Sequence, residues 1–214
     1  MSDSISINFI LIKKSMDPTR VNNLLDSLGS MPRTLFDPDR CGIETVEDLV
    51  SSRPIETVVH SVPILMGGSL NRPENRDDYI ELPDDLCRLT IWVGSGSLLE
   101  LPGQHDNLYE VIKTVFRALD AEYAVSLHNS VLRVEHMPWE VFRTKPGGVH
   151  AFSDRLVELV GRGRVSAIAP HHEILKGGGA ILRFQEEFFY GMPVEYHEAM
   201  RAMLEEIWER ASLR

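Results

Sequence analysis

The chain is poor in cysteine. Its 214 residues include two, Cys41 and Cys87. They form no CxxC pair and cannot build a zinc site alone. A small secreted scaffold would carry more. Long apolar runs are missing too. The longest near the start is Phe9 to Ile12, far short of the roughly 20 residues a membrane helix needs. Met1-Ser2-Asp3-Ser4 lacks the basic n-region of a signal peptide. These absences predict a soluble cytoplasmic chain with no membrane partner. Positive charge is scarce as well: 22 basic residues stand against 32 acidic ones, a net charge of −10. An anionic surface repels phosphates, so direct nucleic-acid binding is not expected. The same charge favours steering toward a basic partner.

Complete catalytic motifs are also lacking. There is no GxSxG elbow, no HExxH and no cysteine in a recognisable catalytic context. The sharpest metal candidate is His171-His172-Glu173. Adjacent side chains on a strand point to opposite faces, so these residues cannot simply chelate one ion. An exposed turn is the preferred reading. Gly94-Ser95-Gly96 and Gly177-Gly178-Gly179 invite a phosphate-loop reading. The first lacks a Walker lysine and the last dinucleotide-fingerprint glycine, and the second lies between predicted strands. Both are read as turns. No catalytic, cofactor or metal residue is assigned, and the chain is not expected to be an enzyme.

What is present is ordinary globular material: 43% hydrophobic and 25% charged residues. A chain of this mass folds to roughly 10,000 Å² of surface, enough to enclose a full core. One α+β domain over 1–214 is expected.

Ile5 to Ile12 reads as a strand. Asp17-Pro18 then opens a helix with Val21, Leu24, Leu25 and Leu28 on one face and Gly29 as its stop. Thr45 to Asp48 resembles a capping box opening a short helix. Thr57 to Leu65 is a strand bent or placed at an edge by Pro63. Gly67 to Asp78 reads as a long loop.

Leu86 to Val93 is a strand with Leu89, Ile91 and Val93 on one face. Asn107 to Glu110 is a second capping box. Its helix carries Leu108, Val111, Ile112, Val115, Phe116 and Leu119 inward. Ala121 to Leu127 is a strand, and His128 to Trp139 a short helix ended by Pro138. Ser153 caps a helix stopped by Gly161. Val165 to Ala169 and Ala180 to Phe184 read as strands joined by a hairpin connection over Pro170 to Gly179. Pro193 starts the last helix, with Met200, Met203, Leu204, Ile207 and Trp208 as its buried stripe. The order β-α-α-β-β-α-β-(α)-α-β-β-α lacks strict βαβ alternation. It predicts a mostly antiparallel sheet with helices packed against it.

Two acidic stretches mix carboxylates with apolar anchors. One holds Glu74, Asp77, Asp78, Glu81, Asp84 and Asp85 around Tyr79 and Ile80. The other holds Asp37, Asp39, Glu44, Glu47 and Asp48 around Phe36. Such a composition suits a basic protein surface, the anchors giving affinity and the charges speeding encounter.

Leu35-Phe36-Asp37-Pro38 leads to Gly42-Ile43-Glu44-Thr45-Val46-Glu47-Asp48-Leu49. Near the C-terminus come Val165 to Pro170, Gly177-Gly178-Gly179, Ala180 to Phe184 and Gly191-Met192-Pro193. In these segments, within a layout covering most of the chain, the sequence resembles the immunity protein 52 family of bacterial polymorphic toxin systems. The resemblance implies a cytosolic α+β protein that binds and blocks a cognate toxin, in a setting such as type VI secretion. It also implies a nuclease as that toxin, whose cationic cleft an acidic inhibitor can cover. The loop with Glu74, Asp77, Asp78, Tyr79, Glu81, Asp84 and Asp85 is the expected toxin interface. A small hydrolase or transferase without a recognisable motif is the alternative, as is a phage-type structural subunit.

Overall fold

The computed structural model describes residues 4–15, 17–35, 48, 55–69, 82–94, 96, 103–128, 137–186 and 191–212. Among the described residues, eight strands form one sheet in the order β2-β3-β4-β1-β5-β6-β8-β7, and every neighbouring pair is antiparallel. The strands are β1 (Ser4–Ile12), β2 (Ile55–Val59), β3 (Val62–Ser69), β4 (Leu86–Gly94), β5 (Tyr123–His128), β6 (Val149–Phe152), β7 (His171–Ile174) and β8 (Ala180–Arg183). The described helices are α1 (Pro18–Gly29), α2 (Gln104–Ala118), α3 (Trp139–Phe142), α4 (Asp154–Val160), α5 (Arg162–Ile168) and α6 (Val194–Ala211). The expected α+β class is therefore present. The surface, 10663 Å², matches the size expectation.

β1 is central because both of its faces are buried. Ile5, Ile7, Phe9 and Leu11 join a core closed by α1 and α2, with Leu89, Ile91 and Val93 beside them. Ile10 joins a second core on the opposite face, with Tyr123, Phe152 and the helices α3 to α6. The alternation of a pleated strand thus feeds two helical layers.

Helix α1 follows its sequence signals. The Asp17 carboxylate accepts a hydrogen bond from Arg20 N–H at 2.9 Å, and Pro18 stands in the first turn. Val21, Leu24, Leu25 and Leu28 are buried. The helix runs through Gly29, and Ser30 caps it with a right-handed φ of −80°.

Helix α2 carries the expected inward face, but it starts at Gln104 rather than at the Asn107 capping box. Gly103 is its N-cap, with φ +79°. Leu108, Val111, Ile112 and Val115 are fully enclosed against β1 and β4. Leu108→Ala is expected to cost about 2–5 kcal/mol. Chemical denaturation checks this, and a change inside the surface scatter of about 0.5 kcal/mol would mean the helix is rotated.

Several elements differ from the sequence reading. Thr57 to Leu65 is not one strand but a hairpin, β2 and β3, turned at His60 and Ser61 with φ of 50° and 67°. Positive φ costs these residues a side-chain clash. Thr34 Oγ1 accepts the His60 N–H and the Arg33 carbonyl accepts the Ser61 N–H, holding the turn. Pro63 lies where β3 pairs with β2 alone, because pairing with β4 begins at Leu65.

Pro138 begins a helix instead of ending one, since it is the N-cap of α3. Val165 to Ala169 is not a strand: α5 runs through Ile168 and ends at Ala169, burying Val165, with the half-buried Ile168 one turn on. The Pro170 to Gly179 connection contains strand β7, so only Leu175 to Gly179 turns. β6 had no sequence expectation at all. The capping box at Thr45, and Asp37, Asp39, Glu44 and Glu47 of the second acidic stretch, lie outside the described residues.

Candidate functional site

Of the expected interface, Glu74, Asp77, Asp78, Tyr79 and Glu81 lie outside the described residues. Asp84 and Asp85 are described, and both are exposed. They stand where the chain enters β4, beside the end of β1. Lys13 ties this corner down: its N–H donates to the Asp85 carbonyl at 2.8 Å, and its ammonium donates to the Asp84 carbonyl at 2.8 Å. Leu86 N–H closes a turn onto the Pro83 carbonyl at 2.9 Å. Leu82 is buried in the second core. The corner is thus pinned by backbone bonds and an apolar anchor, while its two carboxylates face outward.

A second cluster forms where α2 crosses β7 and β8. His171-His172-Glu173, expected in a turn, lies on the edge strand β7. Strand geometry places His171 and Glu173 on one face and His172 on the other. Among the described residues, no three His, Cys, Asp or Glu side chains gather as a metal site.

Glu173 works with groups on α2. Tyr109 donates its hydroxyl to Glu173 Oε2 at 3.2 Å. Lys113 bridges Glu173 at 3.1 Å and Glu110 at 3.0 Å. Arg183 of β8 stacks over the Tyr109 ring, 4.9 Å from its centroid, and approaches Asp106 at 3.7 Å. Burial raises the Tyr109 phenol well above its ordinary range, and the Glu173 charge adds to this. Burial alone would lower the Lys113 ammonium; hydrogen bonds to Glu110 and Glu173 outweigh it and raise the pKa. Tyr109, Glu173 and Arg183 line a shallow groove with Pro170, His171 and His172. These contacts tie α2 to β7 and β8, so the cluster acts as a brace between helix and sheet edge.

The sequence reading also missed a buried polar group. His150 of β6 is fully enclosed. Gly147 N–H donates to its Nε2 at 3.0 Å. The proton of the neutral ring therefore sits on Nδ1, which meets the Tyr123 hydroxyl at 2.7 Å. Burial pushes the imidazole down to about 3. No local signal betrays this pair, because its members stand 27 positions apart.

The glycine triplet behaves as a turn. Gly177 and Gly178 adopt φ of 117° and 106°, a region that glycine enters without a side-chain clash. A Cβ on Gly178 would also overlap the Asp154 carboxylate.

No family model matches the chain and no curated protein matches it. Among solved structures, it is similar to the Pseudomonas aeruginosa T6SS protein PA0821, with a TM-score of 0.51 and 12% sequence identity. The match covers 96% of this chain and 73% of that one. At this identity the likeness is one of fold.

Proposed function

We propose that this protein is a cytosolic immunity protein, which binds a cognate bacterial toxin and neutralises it without catalysis. The toxin we infer is a nuclease, and the mode of action is coverage of its active cleft. The observation that carries the reading is the Asp84–Asp85 corner, where exposed carboxylates stand on a backbone pinned by Lys13. Rigid placement lowers the ordering cost of binding. The net charge of −10 supports steering toward a cationic cleft. The fold likeness to a T6SS protein and the resemblance to an immunity family agree with this setting.

The test is co-expression with the product of the neighbouring gene, followed by binding kinetics at two ionic strengths. Asp84→Lys with Asp85→Lys is expected to slow association by about tenfold at low salt and to flatten its salt dependence. Tyr79→Ala is expected to act on dissociation. The Asp84 and Asp85 changes leave the fold intact, because the bonds to Lys13 use main-chain carbonyls. Unchanged kinetics in these variants and in Asp77→Lys with Asp78→Lys would eliminate this surface. A chain that neither binds nor protects against any neighbouring product would eliminate the immunity reading.

A further inference from the structure

The sheet ends differently at its two edges. At β2 the chain itself occupies the rim: Leu35 N–H donates to the Val58 carbonyl at 2.8 Å. At β7 the hydrogen-bond pattern determines which main-chain groups point outward. Leu175 N–H donates to the Gly179 carbonyl at 2.7 Å, and antiparallel ladders alternate. His171 and Glu173 therefore spend their main-chain groups on β8, while His172 and Ile174 present theirs outward. On the far side of β8, Phe184 N–H to the Gly148 carbonyl at 3.1 Å gives the same alternation. His171, His172 and Ile174 are all exposed.

We propose that this edge pairs with the same strand of a second copy of the chain, antiparallel about a two-fold axis at His172. An axis perpendicular to the sheet keeps its faces in line, so opposed residues must share a face. Centred on His172, this arrangement sets His172 against the partner's His172, and the two exchange a pair of main-chain hydrogen bonds. It sets Ile174 against the partner's Pro170, whose carbonyl accepts the Ile174 N–H. The missing proline N–H ends the ladder there. Ile174, 41% exposed, gains an apolar neighbour.

On the other face, His171 meets the partner's Glu173, and the pair occurs twice. Tyr109 and Lys113 hold Glu173 in place with its side chain 40% exposed, so the carboxylate stands ready for the incoming imidazole. Centring on Glu173 would oppose two glutamates. Centring on Ile174 would run His171 into the partner's glycine turn. Charge, main-chain pattern and apolar contact thus select one register.

Sedimentation equilibrium of the full chain tests this. The mass is expected to rise from 24.2 kDa toward twice that value with concentration. His172→Pro removes only an outward N–H and leaves the bonds to β8 intact, so it is expected to weaken association at least about tenfold with unchanged circular dichroism. His171→Glu places a carboxylate against the partner's Glu173 at an exposed position, and is expected to act in the same direction. It decides alone if the proline variant fails to fold. A chain that stays at 24.2 kDa overturns the proposal when the concentration reaches about 1 mM. So does a dimer that His171→Glu leaves unweakened.

Discussion

Trp208→Ala is expected to remove about 3–5 kcal/mol of stability, the range for deleting a large buried aromatic. Trp208 is completely enclosed. It joins three elements: its ring meets Tyr123 of β5 edge-on at 5.1 Å and Trp139 of α3 at 5.4 Å, and it belongs to α6 itself. Its indole N–H donates to the Arg143 carbonyl at 2.9 Å. Alanine would leave that carbonyl without its donor, a further cost of about 1–3 kcal/mol if water cannot reach it. A domain holds about 5–15 kcal/mol in all, so the variant would be marginal or unfolded. Trp208→Phe keeps most of the ring and loses the N–H, and is expected to sit between the two. Urea midpoints for the three proteins check the order. A loss under about 1 kcal/mol in the alanine variant would mean that α6 contributes little to the second core.

The stripe containing Trp208 was legible because an eighteen-residue helix repeats its period several times. β1 and α1 were legible for a similar reason: capping residue, proline and apolar spacing all agree there. Shorter segments carry no such redundancy. Val165 to Ala169 is a short, mostly apolar run such as a buried strand shows, yet Val165 and Ile168 also stand one helical turn apart. Five residues cannot separate period 2 from period 3.6.

β6 was missed because it is four residues long and buried on both faces, so it shows no alternation. β7 shows no apolar alternation, because His171, His172 and Glu173 are all polar and only Ile174 is apolar. The β2–β3 turn uses His60 and Ser61 at positive φ, without the glycine, asparagine or aspartate that marks a tight hairpin most strongly. The candidate sites were less legible still. The brace on β7 draws on positions 109, 113, 173 and 183, which only the fold brings together. The acidic corner was found from composition, but its anchor, Lys13, lies 71 positions from Asp84.

Acid is expected to weaken the fold through His150. The ring is neutral in the folded protein, and burial holds its pKa at about 3. In the unfolded chain a histidine titrates near 6.5. The unfolded state therefore takes up a proton first as the pH falls. The contribution of His150 is present in full above about pH 6.5 and is lost on the way down to about 3, at roughly 1.4 kcal/mol per pH unit. At pH 5 the loss is about 2 kcal/mol.

Geometry leaves the ring no cheap response. A proton on Nε2 would face the Gly147 N–H, and Gly147 is packed closely against β5: a Cβ there would overlap Val125 and the Ser126 carbonyl. Phe152 and Phe184 lie beside the imidazole with ring centroids 6.2 Å and 6.1 Å away, apolar surroundings that disfavour a charged ring. Denaturant midpoints of the wild type and His150→Gln at pH 7.5 and pH 5 measure the effect. The glutamine variant keeps an acceptor for Gly147 without a titrating group. It is expected to be less stable at pH 7.5 but to lose about 2 kcal/mol less than the wild type on going to pH 5. Groups that titrate alike in both proteins cancel in that comparison. Equal losses in the two proteins would mean that His150 accepts its proton without opening the core.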